Sequence, residues 1–124
     1  KLIKINGLND MVELKTNVDI NDLLNLFAKS KVLFHPTVGE PFGMCIAEAM
    51  AAGLVPVVPS FGGNTEFVPE SLRYKNHKEA ARIIMRSMNA SLQQRLSLSN
   101  SVKKFGKRRF KDSLKCLLSE RLAP

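Results

Sequence analysis

Two glutamates lie on either side of a glycine-containing loop, and their spacing suggests a shared chemistry. Glu40 precedes Pro41-Phe42-Gly43, and Glu48 follows eight positions after Glu40. In a helix that begins near Phe42, Glu48 would lie roughly 9 Å along the axis, leaning back toward the N-terminus. The free amides of a first helical turn favour an anion such as phosphate. Carboxylates repel phosphate, so the two glutamates are interpreted as acceptors for hydroxyl groups on both sides of a diphosphate, as in a nucleotide sugar.

A parallel α/β sheet is the architecture that would position this loop. Apolar runs predict strands at 11–14, 31–35 and 55–58, and helical spacing predicts helices at 20–29 and 42–52. The run Val32 to Phe34 is continuous and is expected to be buried on both faces. Strands that alternate with helices over short connections are typical of a Rossmann-like sheet with helices on both faces. Such sheets bind ligands beyond the carboxyl ends of their strands.

The second half of the chain reads as mostly helical. A helical turn is predicted at 66–68, a small strand at 72–74, and a helix at 78–88 with Ala81, Ile84, Met85 and Met88 facing inward. Ser91 and Gln94 form a capping box for a further helix that Gly106 should end. The last helix, 107–122, has an apolar stripe of Phe110, Leu114, Leu117, Leu118 and Leu122. Residues 1–124 are predicted to be one domain, with 101–124 as a basic amphipathic helical segment.

Length and composition exclude several classes of protein. The 124 residues are 44% hydrophobic and 24% charged, which is typical of a single globular domain. No apolar run reaches the roughly 18 residues of a membrane span, and the first residues lack the apolar core of a signal peptide. The two cysteines, Cys45 and Cys116, form neither a disulfide framework nor a metal-ligand pattern. We therefore expect a cytoplasmic protein without a metal or cofactor.

Charge is unevenly distributed along the chain, whose net charge is +8. Residues 36–72 contain four glutamates and no Lys or Arg, whereas 101–124 contain eight basic and two acidic residues. The basic helices are interpreted as a solvated face, or as a contact with an anionic membrane surface or with nucleic acid. Only Phe105 and Phe110 are available there for base stacking, so no specific nucleic-acid partner is expected. The apolar stripe of the last helix could also support self-association.

Several familiar catalytic motifs are absent from the sequence. It contains no Gly-x-Gly-x-x-Gly, no Walker loop, no Gly-x-Ser-x-Gly and no His-Glu-x-x-His. The only histidines are His35 and His77. His35 ends a predicted strand at the ligand-binding edge, where it is either a structural residue or a site residue.

Taken together, these motifs resemble a known family. Glu40-Pro-Phe-Gly43 with Glu48, then Met50-Ala-Ala-Gly53, Pro56-Val-Val and Gly62-Gly63 with Glu66, are similar to the C-terminal donor-binding domain of family 4 retaining glycosyltransferases. That family has the GT-B fold, and the similarity extends over nearly the whole chain.

The resemblance implies roles for individual residues. Glu40 would be catalytic and hydrogen-bond donor-sugar hydroxyls, and Glu48 would bind ribose hydroxyls. The sugar and diphosphate would lie against the amides of Phe42, Gly43, Met44 and Cys45. Further candidates at the rim of the site are His35, Thr37, Gly62, Gly63 and Glu66. The donor would be a nucleotide-diphospho-sugar, transferred with retention of configuration, usually without a metal.

Two departures from the family pattern concern completeness. The family places an Arg and a Lys upstream in this domain to neutralise the diphosphate, and Lys1 and Lys4 do not fit that pattern. The N-terminal acceptor-binding domain is also absent. The chain, which begins with Lys1 rather than Met, is therefore expected to be a fragment that is inactive alone and that needs this missing domain as its partner.

Other functions remain open. The two glutamates could be surface residues, one of them stabilising a helix N-terminus. As acid and base of a glycosidase they fit less well, because a helix N-terminus depresses both carboxyl pKa values. A flavodoxin-like signalling domain would need an acidic residue where His35 and Pro36 stand. Cys45 is either a small buried filler or a thiol with a lowered pKa, and Glu66 contacts either a ligand or local backbone.

Overall fold

A three-stranded parallel sheet lies at the centre of the fold. The computed structural model describes residues 1–122, and the side chains of residues 1–119. Strands β1 (Val32–Phe34), β2 (Val55–Pro59) and β3 (Arg73–Tyr74) are hydrogen-bonded in the order β1-β2-β3. Val32 pairs with Val55, and Val58 pairs with Arg73. The predicted strands at 31–35, 55–58 and 72–74 are therefore confirmed within one or two residues.

Six α-helices and three short 3₁₀ turns accompany the sheet in residues 1–122. The helices are α1 (Leu2–Ile5), α2 (Ile20–Lys29), α3 (Met44–Ala51), α4 (His77–Ser87), α5 (Leu92–Ser101) and α6 (Lys107–Leu122). The 3₁₀ turns are Gly63–Glu66, Glu70–Leu72 and Lys103–Phe105. The helices predicted at 20–29, 42–52, 78–88 and 107–122 are all present.

Side-chain caps define where three of the helices begin. Asp19 accepts the amide of Asp22 at α2, and Asn76 accepts the amide of Glu79 at α4. Ser91 at the start of α5 forms the predicted reciprocal capping box with the third helical residue. Each cap satisfies an amide that would otherwise lack an intrahelical partner.

Strand β2 is the centre of the core, because all five of its residues are buried. Both α3 and α4 contact β2, and α5 packs against α3. The core also includes Ile46 and Met50 of α3, Val68 of the following loop, and Ile83 of α4. This is the predicted α/β architecture, a parallel sheet flanked by helices that ends in further helices.

The strand predicted at 11–14 is wrong. Residues 12–16 are irregular and exposed, with Met11 82% and Leu14 79% accessible. The amides of Met11 and Val12 both donate to the carbonyl of Leu8. This local turn takes the backbone groups that a strand would offer to a neighbour, and alternation of side chains alone does not supply a partner strand.

Two burial predictions also need correction. Strand β1 is not buried on both faces, because Val32 and Leu33 are only partly buried and Phe34 is 46% exposed. In α4 the buried residues are Ala80, Ile83 and Ser87, whereas Ala81, Met85 and Met88 are exposed and Ile84 is partly buried. The true inward face includes the small polar Ser87, so apolar spacing alone selected a face rotated by one residue.

The C-terminal helices differ from the prediction in one boundary. Helix α5 ends at Ser101, ahead of Gly106, and a 3₁₀ turn leads into α6. Phe110, Leu114, Leu117 and Leu118 are all exposed on α6, while the side chain of Leu122 lies outside the described residues. None of the helices described in residues 1–122 is long and apolar enough to cross a membrane.

Candidate functional site

The start of α3 lies beyond the carboxyl end of β1 and leaves several amides free. Gly43 caps the helix with a φ of +88°, a conformation that a side chain would strain. Its carbonyl accepts the amides of Ile46 and Ala47, which closes the first turn. Within residues 1–122, no backbone carbonyl accepts the preceding amides, those of Phe42, Gly43, Met44 and Cys45. The four amides that the sequence singled out therefore have no backbone acceptor among residues 1–122, which is what the predicted anion site requires.

The loop that bears Glu40 is tied to the loop after β2. Glu40 and Gly62 form a parallel bridge, and the amide of Gly63 donates to the carbonyl of Glu40 at 2.7 Å. Gly62 has a φ of +111°, and a Cβ there would lie 2.7 Å from the Glu40 carbonyl oxygen. A Cβ on Gly63 would overlap the carbonyl of Pro41. The structure thus brings Gly62 and Gly63 against Glu40, and only glycine permits this approach.

His35 lies between Glu40 and Cys45 at the end of β1. Its Nε2 is 3.3 Å from Oε2 of Glu40, and its Nδ1 is 3.7 Å from Sγ of Cys45. The Nε2 contact has an ion-pair distance without the alignment of a hydrogen bond, so this buried nitrogen has no hydrogen-bond partner among residues 1–122. Of the rim candidates, His35 is therefore the one whose side chain reaches Glu40.

Cys45 is exposed, and its environment contradicts both readings of this residue. It is not a buried filler. Desolvation and the nearby Glu40 carboxylate raise the pKa of the Cys45 thiol, and the charge of Glu48 contributes in the same direction. These effects outweigh hydrogen bonds from the first-turn amides, which favour the thiolate. Both carboxylates therefore act on this thiol in the same direction.

Four of the other candidate residues lie on the protein surface. Thr37, Met44, Glu48 and Glu66 are all solvent-exposed. Glu66 ends the 3₁₀ turn Gly63–Glu66, and its side chain forms no hydrogen bond or ion pair with the described residues. The predicted alternative of a local backbone contact of Glu66 is therefore not seen among the described residues. Among residues 1–122, no group of three His, Cys, Asp or Glu side chains is placed to hold a metal ion.

Two supporting features escaped the sequence analysis. Asn64 is fully buried, and its Nδ2 donates to the carbonyl of Pro59, which holds the turn after Gly62 and Gly63. Its place after two glycines was a signal for a tight turn. The ring of Phe42 packs against Phe67 and Phe105, with centroids 5.2 and 5.0 Å apart. Phe105 is therefore part of a packed cluster that anchors the start of α3, and is not a free stacking residue.

An open groove of about 600 Å³ lies at the opposite end of the strands. It is lined by Val55 at the start of β2, Leu72 just before β3, and residues of α4 and α5 such as Ser87 and Gln94. The groove is thus at the amino ends of the strands, whereas the amides and glutamates described above lie at the carboxyl ends. In open α/β sheets ligands bind at the carboxyl ends, so the start of α3 is the better candidate.

Comparison with known proteins identifies the family of this chain. Residues 1–109 match the family described as Glycosyl transferases group 1. The chain is similar to the human GDP-Man:Man(3)GlcNAc(2)-PP-Dol alpha-1,2-mannosyltransferase, with 31% identity over 117 residues that cover 84% of this chain and 23% of the human protein. The mouse protein of the same name is 27% identical over 129 residues, 94% of this chain and 26% of its own length. The chain spans about a quarter of the length of these curated relatives. It belongs to the group 1 glycosyltransferase family.

Proposed function

We propose that this chain is part of the donor-binding half of a retaining glycosyltransferase with the GT-B fold. The amides of Phe42, Gly43, Met44 and Cys45 bind the diphosphate and sugar of a nucleotide-diphospho-sugar. Glu40 accepts hydrogen bonds from hydroxyl groups of the donor sugar, and Glu48 accepts hydrogen bonds from those of the ribose.

The observation behind this proposal is the set of first-turn amides without a backbone acceptor, which lie between Glu40 and Glu48 in the sequence. Amides at a helix N-terminus attract the negative charge of a diphosphate. Glu40 and Glu48 can accept hydrogen bonds from neutral hydroxyl groups on either side of the diphosphate without electrostatic repulsion. A sugar nucleotide presents this order of groups: sugar, diphosphate and ribose.

In this proposal the chain contributes positioning and electrostatics to the reaction. The first-turn amides stabilise the charge that develops on the departing diphosphate as the glycosidic bond breaks. Glu40 holds the sugar so that the acceptor oxygen attacks the anomeric carbon on the face that the diphosphate leaves, through an oxocarbenium-like transition state. The departing phosphate takes the proton of the acceptor. No acceptor-binding residues are assigned in this chain, so we expect it to bind donor without catalysing transfer by itself.

GDP-mannose is the first donor to test, because the names of both relatives contain GDP-Man. Calorimetric titration should show saturable binding to the protein, and Glu48→Gln should weaken it about tenfold through weaker bonds to the ribose. Glu70→Gln is the matched control, since Glu70 precedes β3 and lies at the amino ends of the strands, away from the proposed donor site. Absence of binding across a panel of nucleotide sugars, or equal affinity of the two variants, would overturn the proposal.

A second candidate function is a peripheral contact of α6 with a membrane from the cytoplasmic side. The observation that favours it is the exposed stripe of Phe110, Leu114, Leu117 and Leu118. Lys107, Lys111 and Lys115 lie beside this stripe at helical spacing. Binding to vesicles with phosphatidylserine should weaken as salt increases, and Leu117→Asp should abolish it. Binding that ignores both salt and this substitution would exclude the contact.

A further inference from the structure

His35 is held firmly at the end of β1, although none of the roles proposed above requires it. Its amide donates to the carbonyl of Val57 at 3.0 Å, and its carbonyl accepts from the Tyr74 hydroxyl at 3.4 Å. These bonds join it to both other strands. Its side chain is only 15% exposed, so the imidazole has little freedom to turn away from its neighbours.

The two ring nitrogens of His35 face groups with opposite requirements. A glutamate carboxylate at neutral pH only accepts hydrogen bonds, so the nitrogen that faces Glu40 must carry the proton to interact favourably. That nitrogen is Nε2, 3.3 Å from Oε2. Nδ1 is then unprotonated and can only accept, and the Cys45 thiol, 3.7 Å away, is the donor. One neutral tautomer, with the proton on Nε2, serves both neighbours.

We propose that His35 is a positioning residue that directs the Glu40 carboxylate toward the start of α3, with its own tautomer fixed jointly by the Glu40 carboxylate and the Cys45 thiol. The effect on donor binding rests on the function proposed above, whereas the tautomer does not. Buried Nε2 has no hydrogen-bond partner among residues 1–122, and Glu40 is the acceptor within reach. In an unliganded site such contacts are often poorly aligned and tighten when the substrate binds.

The state of Cys45 is consistent with this assignment. Burial and the Glu40 carboxylate raise the pKa of the thiol, so it stays protonated and able to donate at neutral pH. A thiolate would instead require a proton on Nδ1. The order of donors is therefore thiol to Nδ1, then Nε2 to carboxylate.

Nitrogen-15 NMR of the histidine rings tests the tautomer without any donor. The chain has two histidines, so His77→Gln assigns the signals of His35. We expect Nδ1 of the neutral ring to resonate as an unprotonated nitrogen and Nε2 as a protonated one. Glu40→Ala should give a mixture of tautomers, and Cys45→Ser should keep the wild-type tautomer better than Cys45→Ala. A proton on Nδ1, or the same spectrum with and without the Glu40 carboxylate, would overturn the assignment.

Donor titration then tests positioning with matched variants. Gln places an amide donor near the position of Nε2, whereas Asn places one near Nδ1. We expect His35→Asn and His35→Ala to weaken GDP-mannose binding about tenfold, and His35→Gln to retain most of it. Equal affinity of all three variants and the wild type would refute the positioning role. If the wild type binds no nucleotide sugar, the proposed function and the positioning role fail together, while the ring spectra still decide the tautomer.

Discussion

Three glycine-to-alanine substitutions separate the cost of a left-handed backbone conformation from the cost of a steric clash with the loop that bears Glu40. Gly7 has a φ of +64° and open space where a Cβ would point. Gly63 has a φ that other residues adopt, but its Cβ would overlap the carbonyl of Pro41. Gly62 combines both features, with a φ of +111° and a Cβ position 2.7 Å from the Glu40 carbonyl oxygen. The three positions therefore test backbone conformation, close approach, and their combination.

The expected costs follow from these geometries. Gly7→Ala should lower the free energy of unfolding by about 1 kcal/mol, the cost of a left-handed conformation for alanine. Gly63→Ala must push two backbone segments apart and weakens the 2.7 Å bond to Glu40, which together cost about 2–4 kcal/mol. Gly62→Ala combines conformational strain with a milder clash, whose nearest atom lies at 2.7 Å, and should also cost about 2–4 kcal/mol.

Urea unfolding followed by circular dichroism measures these differences, and donor titration measures their effect on the site. Gly63→Ala and Gly62→Ala should also weaken GDP-mannose binding, because the clash displaces the Glu40 loop, whereas Gly7→Ala should not. A Gly63→Ala protein that is no less stable than Gly7→Ala would refute the close approach of the two loops.

Further tests concern the surroundings of the site. Asn64→Ala should destabilise the fold by about 2 kcal/mol in urea unfolding, because a buried hydrogen bond is lost. A loss of less than about 0.3 kcal/mol would contradict the role of the Asn64 side chain in the turn. Ser91→Ala should cost about 1 kcal/mol in the same assay through loss of the capping box, and no change would argue against that cap. In a Cys116→Ser background at pH 8, Glu40→Gln should speed alkylation of Cys45 by iodoacetamide, because it removes a charge that raises the thiol pKa. Slower alkylation would show that Glu40 does not hold the thiol protonated.

Elements with strong local signals could be predicted from the sequence. The apolar spacing defines α2, and the capping box defines the start of α5. Strand β2 is an uninterrupted apolar run because it is covered on both faces. The strand predicted at 11–14 failed because strands depend on a partner that local sequence does not contain.

The site was predictable in position but not in its contacts. The sequence placed Glu40, Gly43 and Glu48 around the start of a helix because their spacing follows helical geometry. The overlap that any side chain on Gly63 would cause, and the reach of His35 to both Glu40 and Cys45, depend on how two loops meet across the sheet. Contacts between segments distant in sequence leave no periodic signal along the chain.

The most direct measurement is amide chemical-shift perturbation on addition of GDP-mannose. The largest changes should fall on the amides of Gly43, Met44 and Cys45, which have no backbone acceptor in residues 1–122. The diphosphate oxygens would provide acceptors for these amides. Changes confined to the groove between α4 and α5, around Ser87 and Gln94, would instead place the ligand at the opposite edge of the sheet and contradict the proposed donor site.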